Sequence, residues 1–398
     1  MLIKLINTLT LWGTGVLLVA CGQQQESGAP GTTAGTAVSM PTSVVRIGHV
    51  GPITGAVAHL GKDNENGALM AIEELNAQGV SIHGQRVTLE LLAEDDAADP
   101  MQATLVAQKL VDAKVAGVVG HLNSGTTMPA SKLYSDAGIP QLSPSATNPR
   151  YTRQGFKTTF RLVADDAQLG KTLGKYAVGT LKAKAIAVID DRTAYGQGLA
   201  DEFSKAVVSA GGKIVRKDFT TDKATDFNAI LTAIKAKKPD LVFFGGMDAV
   251  AGPMLRQMKS LGIRAKFMGG DGICSTELLK LAGDAIADDW VFCAEAGGVE
   301  GEARAELDAF KARFKTKYGT DIQVYAPYVY DAVKIMVAAM VKAESADSAK
   351  YLPVLAATSH YKGVTGSITF DGKGDIKNGA VTLKTIRLGR FETLAVIR

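Results

Sequence analysis

Residues Gly120 to Thr127 read GHLNSGTT: an apolar run closes into a turn and opens a helix pattern, and these residue types could hold a small anion. A helix start leaves several backbone N–H groups without intrahelical partners and carries about half a positive charge from the aligned peptide dipoles. Ser124, Thr126 and Thr127 add hydroxyls, and Gly125 lets a ligand come close to the backbone. The preceding Val115 to Val119 has the apolar character of a strand buried on both faces, which would aim its open end at solvent or ligand. Ser and Thr also cap ordinary helices, so this stretch alone leaves an anion site and a plain cap both open.

Other chemistry is sparse. No G-x-G-x-x-G follows a strand, and there is neither a Walker loop nor a G-x-S-x-G elbow. The histidines His49, His59, His83, His121 and His360 share no metal-ligand spacing, and Cys21, Cys274 and Cys293 lack the paired short spacing of a zinc site. His121, at a strand end, reads as a satisfied structural histidine, because no nucleophile with an orienting acid stands near it in the pattern. No metal, cofactor or catalytic set is expected.

The elements that must position the anion site follow from the pattern of the whole chain. A sequence of 398 residues, 46% hydrophobic and 21% charged, can form two globular domains with real cores. Its formal charge of +4 is spread over helix faces, which implies neither nucleic acid nor an acidic partner. Lys4 followed by the apolar segment Leu9 to Ala20 reads as a secretory signal over residues 1–20, too short for a permanent membrane span. It ends Leu18-Val19-Ala20-Cys21-Gly22, which resembles the lipobox of bacterial lipoproteins and would make Cys21 a lipidated N-terminus. Residues 21–43, rich in Gly, Gln, Thr, Ser and Ala, read as a flexible tether.

From Val44 strands and helices alternate, which predicts mainly parallel sheets covered on both faces. Strands are expected at VVRIGHVG, VTLELLAEDD from Val87, Gly117 to His121 and Gln141 to Ser143, with helices over Leu60 to Gln78, Met101 to Asp112 and Met128 to Asp136. The alternation pauses near Phe160 to Val163. A second series starts at AIAVID from Ala185 and runs through helices from Gly198, Phe227 and Val250 to WVFCAE at Trp290. Two long helices, Ala303 to Tyr318 and Tyr325 to Val341, precede an antiparallel-looking tail. Two similar α/β units in an exported chain favour a two-lobed binder with its ligand in the cleft.

At GPITGAVAHLG, DDAADPMQA, VVGHLNSGTTMPAS, LSPSATNP, AYGQGLA, FMGGDG and FDGKGD, in this order and spacing, the chain from Val44 to about Asp375 resembles the periplasmic leucine/isoleucine/valine-binding proteins of ATP-driven importers. The resemblance implies a type I periplasmic binding protein: an α/β fold of two Rossmann-like lobes with parallel central sheets joined by a three-strand hinge. Lobe 1 would take residues 44–163 and 297–368, and lobe 2 residues 164–296 and 369–398. The resemblance further implies that Asn123, Ser124 and Thr147 hold an amino-acid carboxylate, with Ser145 and Ala146 in the same loop as Thr147. The carbonyls of that loop and the Thr147 hydroxyl would accept from the ammonium. Tyr195 and Asp271 would reach the ligand from lobe 2 on closure, Asp271 facing the ammonium. Leu60 and Met247, with Tyr325 as a further wall, fall at side-chain pocket positions.

The chain also departs from the family. A disulfide common in it would join positions occupied here by Ala97 or Ala98 and Asn123, so it cannot form. Cys274 and Cys293 flank a helix segment in lobe 2, and export to an oxidising compartment favours a disulfide between them. The expectation is an exported, periplasmic, monomeric receptor without enzymatic activity. It would carry a branched-chain or related neutral amino acid to the permease and ATPase of an ABC importer, touching the membrane only through a lipid on Cys21. A two-lobed sensor of amino acids, amides or aromatic acids is the alternative, and the lack of a signalling domain in the sequence favours the importer.

Overall fold

The computed structural model describes residues 43–398, so the expected leader, Cys21 and all but the last residue of the expected tether lie outside the described residues. In chain order the first lobe holds β1 (Ser43–Gly51), α1 (Ala58–Gln78), β2 (Ser81–Ile82), β3 (Gln85–Asp95), α2 (Pro100–Asp112), β4 (Gly117–Gly120), α3 (Ser124–Asp136), β5 (Gln141–Ser143) and β6 (Thr159–Arg161). The second holds α4 (Asp166–Gly179), β7 (Ala185–Asp190), α5 (Ala194–Ser209), β8 (Lys213–Phe219), α6 (Asn228–Lys235), β9 (Leu241–Gly245), α7 (Asp248–Ser260), β10 (Lys266–Gly269), α8 (Thr276–Ala282) and β11 (Val291–Glu295). The chain then forms α9 (Ala303–Tyr318), α10 (Ala326–Lys342), α11 (Ser348–Ala356) and the small hairpin β12 (Tyr361–Gly363) and β13 (Gly366–Ile368). It ends in β14 (Val381–Arg387) and β15 (Arg390–Ile397).

The first sheet runs β2-β3-β1-β4-β5-β6, parallel except for β2, and the second runs β15-β14-β11-β10-β9-β7-β8, parallel except for β14 and β15. Central strands such as β4 and β9 are buried along their whole length, which is what helices on both faces of a parallel sheet require. Phe310, Phe314 and the apolar face of α10 pack with Val45, Ile47 and Leu89 into the core of the first lobe. Helix starts follow local chemistry. Asp99 caps α2 with Pro100 in its first turn, Asp165 caps α4, Thr193 caps α5 and Ser275 caps α8.

The chain passes between the sheets after β6, after β11 and before β14. These passages run side by side: the Ala164 N–H donates to Ala296 O at 3.1 Å, and Arg161 N–H to Gly374 O at 2.8 Å. The buried Arg161 guanidinium also pairs with Asp375 there.

Several boundaries differ from expectation. Ser43 belongs to β1, paired with Val87, and not to the tether. Phe370, assigned to lobe 2, is buried in the first core with its ring 5.1 Å from that of Phe160, so the last passage starts after it. The pause between Val163 and Ala185 holds the helix α4, and α11 was likewise unforeseen. α3 starts at Ser124 and α5 at Ala194, each four residues before its expected start. No helix among the described residues is long and apolar enough to cross a membrane.

Candidate functional site

The Gly120 to Thr127 turn is where β4 hands over to α3. Asn123 stands at the N-cap without capping through its side chain. The Thr126 and Thr127 hydroxyls bond back to Asn123 O at 3.0 and 2.8 Å, so they finish the helix start and do not offer donors to an anion. Ser124 differs: its Oγ accepts from Asn148 N–H at 3.2 Å, which leaves its own hydrogen to donate. The second loop of this lobe is tied to the first. Ser145 Oγ donates to Leu122 O at 2.9 Å, and Ala146 N–H to Ser143 Oγ, itself bonded to His121 O. Ser145 and Ala146 therefore hold the loops in register, whereas Thr147 Oγ1 and Asn123 Oδ1 are buried with no protein partner.

His121 is fully buried, with Nδ1 2.8 Å from Asp96 Oδ2 and Nε2 3.1 Å from the Tyr134 hydroxyl. Both ring nitrogens are satisfied, and the Asp96 pair ties the 95–99 turn to the 120–127 loop. Among the described residues no three His, Cys, Asp or Glu side chains are grouped to hold an ion.

From the second lobe, the first turn of α5 lies beside that of α3: a Cβ on Gly125 would stand 4.0 Å from the Ala194 Cβ. Tyr195, in the first turn of α5, donates to Asp271 Oδ1 at 2.7 Å and accepts from Gly272 N–H at 3.0 Å. Tyr325 donates to Asp271 Oδ2, also at 2.7 Å. Tyr325 belongs to the segment that enters α10, where Asp63 of α1 accepts four consecutive backbone N–H groups, from Gln323 to Ala326. Burial pushes the Asp271 carboxyl up to about 6, although both tyrosine hydroxyls pull it down. The structure thus joins Tyr195 to Asp271 in the second lobe and sets Ser124 and Thr147 on the two tied loops of the first. It adds Tyr325 as a hydrogen-bond donor, a role beyond that of an apolar wall.

Asp166, which sequence reasoning missed, is the most exceptional group of the site. It is fully buried at the start of α4 and neither carboxylate oxygen has a hydrogen-bond partner. Its N–H donates to Thr147 O at 2.8 Å, and Oδ2 would lie 3.3 Å from a Cβ on Gly198 in α5. Burial raises its carboxyl well above the usual range, and the Asp271 charge adds to it. The signal was the pair Asp165-Asp166 after an apolar run: one acid caps the helix through Gln168 N–H and the second is left over.

Leu60 and Met247 are buried and belong to one apolar cluster with Val57, Leu122, Tyr195, Val324 and Tyr325, drawn from both lobes. The lobes also meet through Asn148 Nδ2 on Ala194 O at 2.7 Å and Thr276 Oγ1 on Gln323 Oε1 at 2.9 Å. Cys274 and Cys293 are joined by a disulfide, their Cα atoms 5.7 Å apart, in the core around β9 and α7.

Known proteins place this geometry in context. Residues 44–387 match the family model described as periplasmic binding protein. The leucine-, isoleucine-, valine-, threonine- and alanine-binding protein of Pseudomonas aeruginosa is 37% identical over 340 residues, covering 85% of this chain and 89% of that protein. Among solved structures, the leucine-binding protein LivK of Thermotoga maritima superposes with a TM-score of 0.81 at 25% identity, covering 89% of this chain and 99% of its own. The branched-chain amino acid transporter substrate-binding protein LivJ of Streptococcus pneumoniae, in complex with isoleucine, gives 0.80 at 28% identity and the same coverage.

Proposed function

We propose, from the premise that this chain belongs to the periplasmic binding protein family, that it is an exported receptor for a branched-chain or related neutral amino acid. It closes on the ligand between its lobes and delivers it to an ABC importer. The observation that carries the ligand class is the pair of buried acids, Asp166 and Asp271, near enough for the charge of one to act on the other, together with the α3 start that Asn123 leaves uncapped and the apolar cluster shared by both lobes. Buried carboxylates are costly without a cation, and an α-ammonium supplies one.

In this reading the carboxylate sits at the α3 N-terminus, taking the Ser124 hydroxyl and the first-turn N–H groups, with Asn123 beside them. Thr147, Asp166 and Asp271 receive the ammonium, and Tyr195 orients Asp271. Leu60, Met247, Leu122 and Tyr325 enclose the side chain. The second lobe contributes contacts only once it has closed, so binding favours the closed form, whose shape the permease and ATPase subunits read. Cys21 would carry the lipid that tethers this monomer to a membrane. The chain works as a receptor, without turnover.

A thermal-shift screen of the mature protein tests this. Leucine, isoleucine or valine at about a hundred times Kd should add about 2.7 kcal/mol to apparent stability. Amides and benzoate should add nothing, and stabilisation by an aromatic acid alone would overturn the reading.

Affinity should also depend on pH. The ammonium needs Asp271 ionised, and with its carboxyl near 6 a proton must leave before the ligand binds in more acid solution. Calorimetry between pH 8 and pH 5 should therefore show affinity falling as the solution is acidified, by about tenfold or more per unit below 6. A flat profile down to pH 5 would show that no such acid meets the ligand.

A further inference from the structure

His59 and Asp248 are 189 residues apart in the chain, yet Nε2 of the first lies 2.7 Å from Oδ2 of the second. His59 is in the first turn of α1, in the first lobe, and Asp248 is the first residue of α7, in the second. Each is the chain neighbour of a wall of the apolar cluster, Leu60 and Met247. Asp248 is well placed as an anion, at a helix N-terminus and taking the Ser275 hydroxyl that also caps α8. Its Oδ1 is buried without a partner, while the His59 side chain keeps 18% of its surface in solvent. The pair therefore closes one edge of the cleft, anchored on the buried side and open on the other.

Separating the lobes would draw α1 and α7 apart and break this bond, so it contributes only to the closed form. We propose that His59 is a positioning residue that bolts the lobes together at the side-chain end of the cleft and thereby sets how long the ligand is retained. The inference rests on the reading that the ligand binds between the lobes. A hydrogen bond to a charged group is strong enough to change the closed population, and with it the escape rate, by about 10- to 100-fold. Capture begins on the open protein, where the bond is absent, so the association rate should change little.

The test is stopped-flow kinetics with L-leucine on the full mature chain, comparing wild type with His59→Ala and His59→Gln, the second of which keeps a donor at similar reach. The expected result is dissociation about 10- to 100-fold faster in His59→Ala, association within about twofold, and recovery of most of the loss in His59→Gln. Unchanged dissociation, or a loss that lies in association and is not rescued by Gln, would overturn the bolt. If wild type binds no amino acid, the ligand reading fails separately. The bolt is then decided by distances in ligand-free protein between nitroxides at Leu105→Cys and Val208→Cys, two exposed positions on opposite lobes. A short-distance population present in wild type and lost in His59→Ala supports it, and identical distributions overturn it.

Discussion

Replacing Asp271 with alanine should weaken the binding of leucine, isoleucine or valine by roughly two to three and a half powers of ten, because a buried ammonium without its acid costs roughly 3 to 5 kcal/mol. The same change strips Tyr195 and Tyr325 of their shared acceptor, so the closed form also loses a bond that joins the lobes. Asp166 remains to meet part of the ligand charge, which favours the lower half of the range. Asp271→Asn keeps the shape and loses the charge, and should fall between the two. Isothermal calorimetry reads the result, and an unchanged affinity in Asp271→Ala would remove Asp271 from the site.

The second large effect is on stability. Asp63→Asn should destabilise the ligand-free protein by about 2–4 kcal/mol, read by denaturant unfolding. Oδ1 of Asp63 accepts from Gln323, and Oδ2 from Val324, Tyr325 and Ala326, so whichever way an Asn is turned its NH2 faces backbone donors. Burial pushes the Asp63 carboxyl up, and the four N–H groups oppose that shift. Because those bonds fix the segment that carries Tyr325 to Asp271, ligand affinity should fall with stability. Unfolding identical to wild type would show that the N-terminus of α10 is held by something else.

Much of this was legible in the residues. The alternation of apolar runs and amphipathic stretches specified both parallel sheets, and GHLNSGTT was legible as a strand-to-helix turn. What escaped depends on tertiary contact. α4 carries Gly170 and Gly174, poor helix formers that let it press on α5: a Cβ at either position would come within 2.6 Å of Phe203 N or the Ala206 Cβ. α3 begins at Ser124, four residues before its expected start, and so takes Pro129 inside the helix. The hydroxyls of Thr126 and Thr127 looked equal to that of Ser124. Only the folded backbone shows that two of them turn back to Asn123 O. The surplus acid Asp166 left only the trace of two adjacent acids where one caps the helix, and the His59–Asp248 pair could not be read from spacing, since each partner acquires its role from an element distant in the chain.

The most direct test of a neutral amino acid held between two lobes is a calorimetric titration of the mature protein with L-leucine at pH 7.5, repeated with benzoate. The predicted result is one leucine bound per chain, displaced by isoleucine and valine, with no heat from benzoate. Binding of benzoate with no response to any neutral amino acid would contradict the account.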